Sequence, residues 1–204
     1  MTRATHPFNA VAIGTASALL TIAPLTSAAP TQTARPRETA SSASVEQTVS
    51  DFQKRCGDYV ALHKKIESGR PRVPDDATPE QIDLGQQALS KGIRAARASA
   101  RVGDVFSPAI QAHVRRVLGA IFAGADGKQL RDSILDENPV GAAVRINGDY
   151  PDEIPLSTMP PQILDALPRL PKELEYRFVG ERLILFDHHA HLIVDYVAQA
   201  LPRV

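Results

Sequence analysis

Residues 173–197 read ELEYRFVGERLILFDHHAHLIVDYV, and this stretch decides the fold. It is the most apolar and β-favouring part of the chain, and it also carries the densest group of potential metal ligands. Leu174 to Val179 alternates, and Gly180-Glu181 supplies a turn in which glycine takes positive φ without steric cost. Arg182 to Phe186 reads as a second strand, Asp187-His188-His189-Ala190 as a second turn, and His191 to Val197 as a third strand. Leu192, Ile193, Tyr196, Val197 and Ala200 also fit one face of a helix. β-Branched Ile193 and Val194, with Tyr196 and Val197, tip that segment toward strand. The expectation is a three-stranded antiparallel meander.

N-terminal to the meander the hydrophobic period lengthens. Val45, Val49, Phe52, Cys56, Tyr59/Val60, His63 and Ile66 recur at three- and four-residue steps, predicting a helix from about Val45 to Ser68. Ser44 is its expected N-cap, and Gly69 with Pro71 its stop. Cys56 falls on the apolar face, which predicts a buried thiol. His63 lies on the apolar edge, where a packed, hydrogen-bonded imidazole is the ordinary outcome. After an extended connector over 70–74, Thr78, Pro79 and Gln81 mark a capped helix start and a second helix over 79–101. Its Lys91, Arg94, Arg97 and Arg101 form a basic stripe, read as a solvated face. Ser107-Pro108 opens a third helix over 108–123, and a short fourth covers about 127–136 before Asn138-Pro139.

From Ala142 the period changes again. Ala142 to Ile146 reads as a strand followed by an Asn147-Gly148 turn, and Asp149 to Ser157 as a loop. Pro160 to Leu167 reads as a short helix capped by Thr158. Helices first and strands last indicate an α+β domain, about four N-terminal helices packed on a small C-terminal antiparallel sheet.

Composition bounds the rest. The 204 residues are 43% hydrophobic and 23% charged with zero formal net charge, which leaves room for one core and gives no electrostatic reason to expect nucleic acid. A single cysteine excludes an internal disulfide. Arg3, the apolar run Phe8 to Leu25 and the small residues Thr26-Ser27-Ala28 match a secretory signal peptide over 1–28. An uncleaved anchor is the alternative, against which Asn9 and Pro24 interrupt the run. Residues 29–44, rich in Ala, Pro, Ser and Thr, read as a disordered leader, so that 45–204 is the single folded domain of an exported, periplasmic or extracellular protein.

Asp187, His188, His189 and His191 form the one cluster able to carry chemistry, with Asp195 nearby. In an extended chain Asp187, His189 and His191 share a side and His188 takes the other. In a helix Asp187, His191 and Asp195 line up instead, and either set offers nitrogen and oxygen donors suited to Zn, Ni or Cu. The competing reading is a polar hairpin tip, in which Asp187 starts an Asx turn and the histidines fill exposed positions or titrate near neutrality. Catalytic signatures are missing: there is no G-x-S-x-G or H-E-x-x-H, and Cys56 and His63 stand two helical turns apart. Asp136-Glu137 and Asp152-Glu153 read as solvated pairs. A pocket holding His63, Cys56 and a carboxylate is the one arrangement that would favour a hydrolase.

Two resemblances follow from these residues. YRFVGERLILFDHHAHLIVDYV is similar to the C-terminal hairpin unit of small exported bacterial proteins of the RcnB type, with a tyrosine-led strand, a glycine turn, an apolar strand ending in Asp and a final Ile-Val strand. That resemblance implies a link to periplasmic nickel and cobalt homeostasis and favours metal at His188, His189 and His191. The long helical region departs from the RcnB pattern. DYVALHKK, DATPEQI, RVGDVFSP and the YRFVG…LIVDY ending resemble a family of uncharacterised exported bacterial proteins, which implies no particular activity. The first expectation is thus a non-catalytic envelope module without a cofactor that binds a protein or cell-surface partner. The second is a periplasmic metal-binding protein.

Overall fold

The computed structural model describes residues 36–72, 74, 76–137, 141, 143–151, 154–155 and 159–202, with side chains from residue 44 onward. The expected signal peptide lies outside the described residues, as do Asp152-Glu153, Asn138-Pro139 and Thr158. Five helices precede three strands among them: α1 (Pro36–Ser68), α2 (Pro79–Ala96), α3 (Pro108–Phe122), α4 (Gly127–Glu137), α5 (Pro161–Ala166), β1 (Leu174–Val179), β2 (Arg182–Asp187) and β3 (Leu192–Val197). The fold is α+β, with one antiparallel sheet in the order β1-β2-β3.

The β1–β2 hairpin pairs Val179 with Arg182 around Gly180, whose φ of 56° only glycine adopts readily. Leu174, Tyr176, Phe178, Leu183, Leu185, Val194 and Val197 face the helices and join Phe52, Ile93, Phe106, Ile110 and Leu118 in the main core. The opposite face is also apolar. Ile184, Phe186 and Ile193 are fully buried there against Tyr150 and Ile154, so the segment before the meander covers the second face of the sheet. Burial on both faces is why the strands read as near-continuous apolar runs.

β3 carries a bulge. Leu185 pairs with Asp195 and Phe186 with Ile193, leaving Val194 as the extra residue. A bulge re-aims the side chains beyond it. Strict alternation would place Asp195 on the side of Ile193; instead it meets the Gly103–Phe106 connector on the helical side.

Several expected boundaries differ. α1 begins at Pro36, inside the stretch read as a leader, so Ser44 lies within the helix instead of capping it. α2 starts as expected, with the reciprocal Thr78–Gln81 capping box, but ends at Ala96. The Asn147 amide donates to the Arg97 carbonyl at 2.8 Å, and Arg97 donates to Asn147 Oδ1 and the Val194 carbonyl at 2.9 and 3.1 Å. Arg94 donates to the Asn147 carbonyl at 2.8 Å and pairs with Asp149. The basic stripe is therefore divided: Lys91 and Arg101 stay exposed, while Arg94 and Arg97 tie α2 to the 143–151 segment and the sheet. Gly92 lets α1 approach α2 closely, since a Cβ there would stand 2.6 Å from Ile66 Cγ2.

The strand expected over 142–146 does not form among its described residues. A turn at 145–148, with Asn147 at φ 57° and Gly148 bonded to the Arg145 carbonyl, uses up that segment. The edge pairing comes later: Asn147 donates to the Ile193 carbonyl, Ile193 to the Gly148 carbonyl, and Asp149 bridges Leu192. α5 starts at Pro161 with Pro160 in the cap position and no side-chain cap. Among the described residues, no helix is long and apolar enough to cross a membrane.

Candidate metal centre

The second turn of the meander is built by Asp187. β2 runs through this residue, one beyond the expected end at Phe186, and its Oδ1 accepts the backbone N–H groups of His189 and Ala190 at 3.0 and 2.9 Å. This is the Asx turn anticipated at the hairpin tip. His191 has φ 51° and belongs to the turn, so β3 begins at Leu192 and not at His191.

The other oxygen, Oδ2, reaches into the helical layer. It accepts Tyr59 Oη–H at 2.6 Å and His63 Nδ1–H at 2.6 Å, joining residues 128 and 124 positions apart in sequence. Tyr59 and His63 are one turn apart on α1 and so share a face. Asp187 and His63 are both fully buried. Burial opposes ionisation of Asp187, but the hydrogen bonds from His63, Tyr59 and the Ala190 N–H, with the His63 charge, outweigh it and hold the carboxyl below its ordinary value. Burial likewise pulls His63 down, yet the Asp187 hydrogen bond and the charges of Asp187, Glu67 and Glu173 leave it above its ordinary value. The same site pushes the Tyr59 hydroxyl far up, through burial first and the Asp187 charge second, so Tyr59 stays a donor.

An ionised carboxylate only accepts, so Asp187 fixes the proton of neutral His63 on Nδ1 and leaves Nε2 as a lone pair. That Nε2 is buried without a hydrogen-bond partner. It stands 3.7 Å from Glu67 Oε2, one turn further along α1. The His189 ring completes the group, its centroid 5.7 Å from that of His63. One ligand atom from each of His63, Glu67 and His189 lies within 4.8 Å of the others, with His63 buried and its two companions exposed. Glu173, also buried, pairs with Lys64 at 3.0 Å and adds negative charge near His63.

The four residues expected to share a metal do not converge. His189 alone joins the ligand group. Asp187 supports that group from behind, where its oxygens are occupied by Tyr59, His63 and two N–H groups. His188 is held by the Lys172 carbonyl at 2.9 Å with its ring edge-on to that of His189, centroids 4.4 Å apart, and the His191 ring packs edge-on against Phe186 and Tyr150. The tight turn, with His191 in left-handed backbone, breaks the alternation that would have aligned 187, 189 and 191. Asp195 is fully buried on main-chain donors elsewhere.

His63 was legible as a packed imidazole, and it is one; its place in a candidate ligand group was not. The available signal was Glu67 four residues on, the i,i+4 spacing that places two donors on one helix face. Cys56 is buried as expected, and burial, with the Asp195 charge, pushes its thiol up to about 12. It is held protonated, not activated. Compared with family models, curated proteins and solved structures, the chain has no match.

Proposed function

We propose that this chain is an exported metal-binding protein that holds a divalent first-row ion between His63 Nε2, Glu67 and His189. The observation that carries this reading is the buried His63 Nε2, which has no hydrogen-bond partner, in a ring whose tautomer Asp187 fixes and beside two further donor atoms. Leaving a buried polar atom unpaired costs on the order of 1–3 kcal/mol, and an ion at Nε2 removes that cost. A carboxylate behind the distal nitrogen is the usual way a metal-bound imidazole is oriented and its basicity raised. Two imidazoles and one carboxylate suit Zn, Ni or Cu and leave a coordination position for water or for a donor from elsewhere. Export rests on the N-terminal sequence features, and the RcnB-like meander agrees with a role in envelope metal handling. This geometry moves the metal reading ahead of the partner-binding module that the sequence alone placed first.

The test is calorimetric titration of the metal-free protein with Zn, Ni and Cu, beside Glu67→Ala, His189→Ala and a His188→Ala/His191→Ala double variant. The expected result is one ion bound at roughly micromolar Kd or tighter, lost in both single variants and kept in the double variant. Affinity unchanged by Glu67→Ala and His189→Ala overturns the proposal, as does the absence of binding.

A further inference from the structure

Two imidazoles and a carboxylate leave the metal centre one donor short, and a buried carboxylate beside it is only half satisfied. Glu173 is 3% exposed, and its Oε1 makes no aligned hydrogen bond among the described residues. Lys64 Nζ stands 3.0 Å from that oxygen, within ion-pair distance, on a side chain that is 58% exposed. Burial pushes the Glu173 carboxyl up, but Lys64 and the backbone outweigh it and hold the group below its ordinary value, so it is ionised.

Glu173 belongs to the same corner of the molecule as the metal ligands. It precedes Leu174, whose partner across the sheet is Asp187, and so lies beside the turn that carries His189. The Lys172 carbonyl meets His188 Nε2 at 2.9 Å, and the His188 ring stands 4.4 Å from that of His189. On the helical side, Lys64 follows His63 on α1 and neighbours Glu67, three residues on. The charge of Glu173 acts on His63 together with those of Asp187 and Glu67. Three carboxylates thus draw on one imidazole, and an exposed ammonium balances the third.

The two members of this ion pair differ in how freely they leave it. Lys64 has a flexible stem and a head largely in water, where an ammonium gains little from pairing. Glu173 has no such escape, because a buried anion without a counter-ion is costly. A divalent ion between His63 Nε2, Glu67 and His189 would repel the ammonium and offer the carboxylate a stronger partner. Resting on the metal reading above, we infer that Glu173 is the fourth ligand of this centre and that Lys64 is displaced from it when the ion binds. The loaded site then has two nitrogen and two oxygen donors, a closed four-coordinate set of the kind found in non-catalytic zinc sites. In the empty site Lys64 keeps the carboxylate neutralised, and it competes with the ion.

The test is calorimetric titration with Zn, in mildly alkaline buffer, of the metal-free protein, Lys64→Met, Glu173→Gln, the double variant and Lys172→Met. Lys64→Met, which removes the competitor at an exposed position, should tighten Zn binding about tenfold. Glu173→Gln should weaken it by about 10- to 100-fold, and Lys172→Met should change it by no more than about twofold. In the double variant the gain from Lys64→Met should vanish, because Lys64 acts through Glu173. In the unsubstituted protein the ¹⁵Nζ signal of Lys64 should move to the position of a solvated lysine when one equivalent of Zn is added. Unchanged or weaker binding in Lys64→Met, the same gain in the Glu173→Gln background, or a Lys64 signal that stays in place overturns the inference. If Zn binds, and is lost in Glu67→Ala, while Glu173→Gln leaves it unchanged, the metal reading stands and this inference alone fails. If the unsubstituted protein binds no ion, both fail.

Discussion

Asp187 and Asp195 are both fully buried in the same small sheet, and they are satisfied in different ways. Among the described residues Asp195 accepts only main-chain donors, the N–H groups of Gly103, Val105, Phe106 and Tyr196. Those donors have no protonation equilibrium and no second valence, so the network ends there. Asp187 spends one oxygen on two turn N–H groups and the other on Tyr59 and His63. Imidazole has a second nitrogen, so this network continues outward to Glu67 and His189. A buried carboxylate closed by backbone is an anchor, and one closed by a histidine can position a site.

The sharpest way to break that contrast is to remove the anchor. Asp195→Ala leaves four N–H groups without their acceptor and should cost about 4 kcal/mol of stability, read from urea unfolding. Metal affinity of the folded protein should be unchanged. Asp187→Asn should cost less, about 3 kcal/mol, because it removes the charge of a buried pair while keeping its shape. It should also weaken metal binding by about 10- to 100-fold, as loss of an orienting carboxylate does. If metal affinity survives Asp187→Asn, the two carboxylates are equivalent and the comparison fails.

Titration sharpens the contrast. His63 is raised, so its contribution to the metal-free protein is complete below its ordinary 6.5 and is lost as pH rises through the raised value. Asp187 is depressed, so its contribution is present above its ordinary 3.8 and is lost as pH falls through the lowered value. Urea midpoints across pH should therefore fall off on both sides of this interval. Metal binding needs Nε2 unprotonated, so added Zn should stabilise most on the alkaline side, where His63 has lost its proton. The smallest effects belong to the rim. Glu67→Ala and His189→Ala should change stability by no more than about 0.5 kcal/mol, yet abolish metal binding.

How far the sequence was legible follows from the range of each interaction. The Thr78–Gln81 capping box, the glycine turn at 180 and the apolar stripe of α1 are local, and each stands where its residues indicate. The end of α2 was not legible, because the group that captures the Arg97 carbonyl is Asn147, fifty residues away. The edge pairing beside β3 was displaced for a related reason: a strand-like pattern at 142–146 lost to the Asn147 turn, and pairing resumed at 147–149.

The candidate site divides the same way. The sequence alone determined the α+β class, the meander, the Asx turn after Asp187 and the burial of Cys56 and His63, since period, turn chemistry and apolar faces depend on near neighbours. It marked the His-rich turn, of which one residue, His189, stands in the candidate ligand group. Only the tertiary structure decided that His63 and Glu67 stand opposite that turn, that Asp187 serves from behind, and that a bulge sends Asp195 to a different network. Convergence of side chains more than a hundred residues apart depends on how α1 packs against the sheet, and no local pattern encodes that packing.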